Sequence, residues 1–201
     1  MKKKVTITIG REYGSGGREI GEKLAEKLDM LFLDKNILNE ISQKSGISLD
    51  KLLENDEKPS SMLQEPFIPY DFDAESLSEQ LFDMQAELIQ EKYNEHSCVV
   101  VGRCADVILA FQEDVVNVFI YADMEDKIYR IMKLHNISDR QKAAKLIKKT
   151  EKIRRNYYQY YTDENWGDKR NKALMINTSQ TGVDGAVALI IAYLQQKGYV
   201  E

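Results

Sequence analysis

Three glycines in four positions, Gly14, Gly16 and Gly17, stand in the run Ile9-Gly10-Arg11-Glu12-Tyr13-Gly14-Ser15-Gly16-Gly17-Arg18-Glu19-Ile20-Gly21. A β-branched apolar stretch precedes the run, and an amphipathic helical pattern follows it. Such a turn suits the binding of phosphate. Glycines let the backbone curl so that several N–H groups point inward, and the helix N-terminus adds positive partial charge. The common phosphate loop reads G-x-x-x-x-G-K-[ST]. Registered on Gly14-Ser15-Gly16, this chain has Gly17 at the lysine position and Arg18 at the Ser/Thr position. Arg11 fills the slot of the first glycine, with Gly10 just before it. The loop therefore points to phosphate binding with an altered set of catalytic groups. A dinucleotide fingerprint, G-x-G-x-x-G with an acid about 20 residues on, fits Gly14, Gly16 and Asp34 but fails at Glu19 and after too long a turn.

The elements that must position this loop alternate along the chain. Apolar runs at 5–9, 31–33, 98–101, 115–122 and 173–177 read as buried parallel strands. Between them, helical spacing covers 17–28 (Ile20, Leu24, Leu28), 36–44 (Ile37, Leu38, Ile41) and 74–93 (Leu77, Leu81, Met84, Leu88, Ile89). It continues over 105–111, 124–134 and a long, basic, tyrosine-rich stretch at 139–160. A closing helix at 183–197 turns Ala186, Val187, Ile190 and Leu194 inward. Residues 47–70 hold all three prolines, Pro59, Pro66 and Pro69, and read as loops and short helices. The pattern predicts an α/β fold: a three-layer, doubly wound, parallel five-stranded sheet with helices on both faces and a helical lid. Ligands in such sheets bind at the carboxyl ends of the strands. Those ends carry the glycine loop, Asp34, Arg103, Asp123 and Asn177-Thr178.

At 201 residues and a net charge of −5, the chain fits one domain with a real core, not a protein that wraps nucleic acid on a basic surface. Its charge is unevenly placed. Residues 50–95 hold thirteen acids against three bases, and residues 127–172 hold fourteen bases against five acids. The basic stretch could close over phosphates. Cys98 and Cys104 are not spaced for a metal and read as reduced, partly buried thiols of a cytoplasmic protein. The apolar run after Met1-Lys2-Lys3-Lys4 is too short for a signal peptide, and no segment is long enough to cross a membrane. His96 and His135 are isolated and read as surface or helix-end residues.

Val5–Gly21, with Phe32-Leu33-Asp34, Val99-Val100-Val101-Gly102-Arg103 and Val118-Phe119-Ile120-Tyr121-Ala122, resembles the cytidylate kinase-like family. These are relatives of bacterial cytidylate kinase among the nucleoside monophosphate kinases. The resemblance continues through Lys149-Thr150-Glu151-Lys152-Ile153-Arg154-Arg155-Asn156-Tyr157-Tyr158 and Trp166-Gly167-Asp168, so it spans nearly the whole chain. It implies one kinase-like domain over 1–201, with an acceptor-covering insertion at 46–72 and a lid segment at 137–170. It implies that Arg11, Tyr13, Gly14, Ser15, Gly16 and Gly17 wrap the ATP phosphates, and that Arg130 contacts the nucleotide. Asp34 and Arg103 would serve the monophosphate acceptor, and Arg18, Arg154 and Arg155 would act on the transferred phosphoryl group. ATP would enter with Mg²⁺, whose protein ligands the resemblance leaves open.

The resemblance implies ATP-dependent transfer to a nucleoside monophosphate, of cytidylate type. The altered loop keeps two other readings open: a nucleotide-binding protein without turnover, and a kinase of a different small phospho-acceptor. Tyr157, Tyr158, Tyr160 and Tyr161 suit packing on the body of the domain, or on a second copy of the chain, better than stacking on nucleic-acid bases. Trp166 reads as a structural anchor at the end of the lid. Base preference would be read by the 47–70 segment.

Overall fold

The computed structural model describes residues 3–57 and 77–201. Five parallel strands lie in the order β2-β3-β1-β4-β5: β1 (Thr6–Arg11), β2 (Leu31–Leu33), β3 (Cys98–Val101), β4 (Val115–Tyr121) and β5 (Leu174–Asn177). The helices are α1 (Gly17–Leu28), α2 (Ile37–Ser45), α3 (Leu49–Asn55), α4 (Leu77–Glu95), α5 (Ala105–Ile108), α6 (Met124–His135), α7 (Arg140–Thr162) and α8 (Thr178–Gln196). The doubly wound parallel sheet is thus the observed architecture.

Alternation along the strands builds the layers. In β3, Val99 and Val101 face α1 and α8 and join Ile7, Ile9, Leu24 and Ile190. Cys98 and Val100 face the other way, toward Leu38, Leu88 and Ile89 of α2 and α4. Both thiols are buried, more fully than expected, and burial pushes Cys98 up to about 11. A third cluster joins α6 to α7 through Ile128, Ile131, Ala143 and Ile147. A fourth places Tyr157 and Tyr158 on Cys104, with Phe82, Tyr161 and Trp166 around them. The tyrosines of α7 therefore pack on the body of the domain, as does Trp166, edge-on to Phe119 at 5.4 Å.

Several boundaries differ from the sequence pattern. Strand β1 runs through Arg11, because β4 is long enough to pair it to the end, Arg11 opposite Ile120. Helix α5 stops at Ile108, and Phe111, expected in its last turn, stands 98% exposed. Helix α8 starts at Thr178, capped by Asn177, and breaks at Gly182 with φ 66° before the main helical run. The covering insertion expected at 46–72 is described only as far as Glu57; its remainder, with the three prolines, lies outside the described residues.

Candidate functional site

The glycine loop leaves the end of β1 and enters α1. The Glu12 amide donates to the Ile120 carbonyl at 2.9 Å, and the Ser15 hydroxyl donates to the Glu12 carbonyl at 2.9 Å. From the first residue of α8, the Thr178 hydroxyl donates to the Ser15 carbonyl at 2.7 Å and pins the turn. Gly14 and Gly16 sit at φ 87° and 84°, in the left-handed region that favours glycine. A side chain at Gly14 would also press on Ile131 and the Lys127 carbonyl at 3.1 Å.

A cavity of about 450 Å³ opens on the loop. Of the residues singled out from sequence, Arg11, Tyr13, Gly14, Gly16, Gly17, Arg18, Asp34, Arg130 and Arg154 all line it. Ser15 does not; its side chain is buried in the turn. Arg18 donates to Asp34 at 2.8 Å and pairs with Glu22 at 2.8 Å, while 62% of its side chain remains exposed. Arg130 is held by Glu19 at 3.0 Å. The Tyr13 hydroxyl lies 2.7 Å from His135 Nε2, and the Arg154 guanidinium sits over the Tyr13 ring at 5.4 Å. Burial pushes the Tyr13 hydroxyl pKa up against the opposing charge of Arg154.

Beneath that cavity three arginines gather. Arg103 comes from a left-handed turn after β3, where Gly102, Arg103 and Cys104 have φ of 77°, 60° and 53° in succession. Non-glycine residues seldom adopt this conformation, and here it drives a fully buried guanidinium inward. Arg103 forks onto Asp56, with Nη2 to Oδ2 at 3.0 Å. Its Nε has no partner among the described residues. Arg11 reaches one oxygen of Glu57 at 3.3 Å, and Arg154 reaches the other at 3.5 Å. Arg154 also donates to the Arg11 carbonyl at 3.3 Å, which lays α7 across the end of β1. Burial, with the like charge of Arg11, pushes Arg103 and Arg154 down to about 10, so both stay charged at neutral pH. Burial alone would raise the Glu57 carboxyl, but Arg11, Arg154 and Lys35 outweigh it and hold it below the usual carboxylate range.

Arg155 is not part of this group. It leaves α7 on another side and lies over the Trp166 ring at 5.9 Å. Asp123 precedes α6 and accepts from Asn177 at 3.3 Å. His135 ends α6 as expected, yet it is not isolated, because Tyr13 binds it.

Sequence reasoning missed two features. Asp56 and Glu57 are two acids in an acidic segment, and nothing in the pattern marks them as the partners of distant arginines. The other is a buried ion cluster: Lys127 of α6 donates to Glu12 of the loop at 2.7 Å and to Glu151 of α7 at 2.8 Å. Burial works against the Lys127 charge, but the two carboxylates outweigh it and hold its pKa above the ordinary value. A signal existed here, since Glu151 is the lone acid of the basic helix α7.

Magnesium commonly keeps several waters and is bound through one or two carboxylates together with substrate phosphates. The residues around the loop do not supply the usual protein ligand. Arg18 stands at the Ser/Thr position, and the Ser15 hydroxyl is committed to the Glu12 carbonyl. Among the described residues no group of three or more His, Cys, Asp or Glu could hold a metal.

A family model described as the cytidylate kinase-like family matches residues 6–180. Among solved structures, an uncharacterised protein from Eubacterium ventriosum ATCC 27560 is 28% identical, with a TM-score of 0.74, covering 96% of this chain and 99% of that one. Shikimate kinase from Acinetobacter baumannii, in complex with shikimate, is 16% identical at a TM-score of 0.56, covering 98% of this chain and 96% of that one. A gluconokinase from Sinorhizobium meliloti 1021 is 13% identical at 0.57, covering 99% and 98%. These last two likenesses show a shared fold. No match is found among curated proteins. Among the described residues no helix is long and apolar enough to cross a membrane.

Proposed function

The chain belongs to the cytidylate kinase-like family, and on that premise we propose that it transfers the terminal phosphoryl group of ATP to a nucleoside monophosphate of cytidylate type. One observation carries the reading. Beside a glycine loop, Arg11 and Arg154 converge on Glu57 and Arg103 on Asp56, which supports a site for negative charge there.

Phosphoryl transfer asks for in-line placement, charge neutralisation and exclusion of water more than for covalent help. An acceptor phosphate oxygen attacks the γ-phosphorus, the bond to the β,γ-bridging oxygen breaks, and ADP leaves. In this reading the loop amides of Tyr13 to Gly17 hold the ATP phosphates, and Arg18 and Arg130 flank them. Arg103 takes the acceptor phosphate, and Asp34 takes a hydroxyl or base group of the acceptor. Arg154 neutralises the group in transfer, because a planar guanidinium binds phosphate oxygens in pairs and keeps its charge. Arg155, turned to Trp166, is left without a chemical role. Residues 137–170 act as the lid, and the described part of the insertion, 46–57, brings Asp56 and Glu57 to the arginines. Magnesium bound to ATP would supply charge neutralisation at the phosphates.

The test is ADP release from Mg·ATP with CMP, dCMP, UMP, AMP and GMP in turn, beside an Arg154→Ala control. Turnover with a cytidylate that vanishes in the control is the expected result. Gly17 and Arg18, standing where a lysine and a Ser/Thr are usual, favour a second reading: a nucleotide-binding protein without turnover. ATP binding with no ADP release for any acceptor would select it. Turnover with a non-nucleotide acceptor alone would instead assign a kinase of another small phospho-acceptor.

A further inference from the structure

We propose that the cation and the glycine of this phosphate loop have changed places, so that Arg11 supplies the charge to the terminal phosphate that a lysine at position 17 would otherwise supply. The inference rests on the ATP-binding reading above and names the group that replaces the missing lysine.

Spacing gives the first part. In the loop pattern the first glycine and the lysine stand six residues apart. Here those two positions are Arg11 and Gly17. The structure gives the second part. A Cβ on Gly17 would lie 2.5 Å from Cβ of Arg11 and 3.1 Å from its Cγ, so the Arg11 stem already fills the space that a side chain at 17 would need. Gly17 does not have a positive φ, so its backbone conformation does not demand glycine. The demand comes from Arg11. At the other end of the side chain a Cβ on Gly102, whose φ of 77° already favours glycine, would overlap the Arg11 guanidinium. Two glycines thus bracket one arginine and fix its course from the foot of the loop toward Arg103.

Three other cations near the loop are less suited. Arg18 is largely exposed and tied to Asp34 and Glu22. Arg130 is 38% exposed and held by Glu19. Lys127 is committed to two carboxylates. Arg11 is buried, lines the loop cavity, and shares the Glu57 carboxylate with Arg154. That carboxylate marks where an anion between the two guanidiniums sits. A terminal phosphate in its place would meet Arg11 from the loop side and Arg154 from α7.

The test compares the parent with Arg11→Gln, Gly17→Lys and the double exchange Arg11→Gly with Gly17→Lys. Each variant is checked for a native far-ultraviolet spectrum. ATP and ADP affinities are measured by calorimetry, and turnover with the monophosphate on which the parent is active. Arg11→Gln is expected to lower kcat about a hundredfold and to abolish the preference for ATP over ADP, while ADP affinity changes less than about twofold. Gly17→Lys alone is expected to destabilise the fold by its collision with Arg11. The double exchange, which removes the collision and returns the charge to position 17, is expected to regain the ATP preference. An unchanged ATP-to-ADP ratio in Arg11→Gln would overturn the proposal, as would a double exchange that folds without regaining the preference. A parent that binds ATP but turns over no acceptor would defeat the kinase reading alone, and the affinity ratio would still decide the role of Arg11. A parent that binds no ATP would overturn both.

Discussion

Arg154 of α7 reaches the Glu57 carboxylate at 3.5 Å, across ninety-seven positions of sequence. Arg11 takes the other oxygen of the same group. The chain thereby seats its own anion between two guanidiniums that, in the proposed function, hold a phosphoryl group. A phosphate ligand would have to displace Glu57, and the charge that Glu57 neutralises would pass to the ligand.

Replacing that carboxylate tests the exchange. Glu57→Gln is expected to lower stability by about 1–3 kcal/mol, because two clustered, mostly buried guanidiniums lose their counter-charge. Pyrophosphate should then raise the Tm of the variant by more than it raises that of the parent. Equal shifts in a thermal melt would show that Glu57 does not compete with anions.

The pH dependence has a defined sign. The folded-state pKa of Glu57 lies below its ordinary value, so its contribution to stability is present in full above the unfolded value of about 4.3. That contribution fades as pH falls through the lower, folded value. Urea denaturation of the parent and Glu57→Gln should show a stability gap that is constant from pH 7 to about 5 and closes only below about pH 4. A gap that closed between pH 7 and 6 would contradict the assignment.

The Lys127 cluster joins the loop, α6 and α7 at one ammonium. Lys127→Met leaves Glu12 and Glu151 facing each other without a counter-charge, and is expected to cost about 3 kcal/mol. Adding Glu12→Gln and Glu151→Gln should recover most of the loss, since a half-broken buried ion cluster is worse than none. Chemical denaturation of the single and triple variants measures both.

Periodicity made much of this fold legible. Helix α1 and strands β2 and β3 run over the residues that their apolar spacing marks. The extension of β1 to Arg11 was hidden because β4, not β1, decides where pairing ends. The break at Gly182 and the left-handed Gly102-Arg103-Cys104 turn were hidden because tertiary contacts select them. In the site, glycine spacing and strand-end position brought the loop, Asp34 and Arg103 forward. Asp56 and Glu57 could not be found this way: their partners lie forty-six or more residues away in sequence, and a paired acid looks like any other in a list of residues.

The most direct measurement of the central claim is calorimetric binding of a bisubstrate compound, adenosine and cytidine joined through a five-phosphate bridge. If donor and acceptor sites meet at Arg11, Arg103 and Arg154, the compound should bind at least about a hundredfold more tightly than ATP or CMP alone. Arg103→Ala should remove most of that gain while ATP affinity stays nearly unchanged. Binding no tighter than ATP alone would contradict the two-site account.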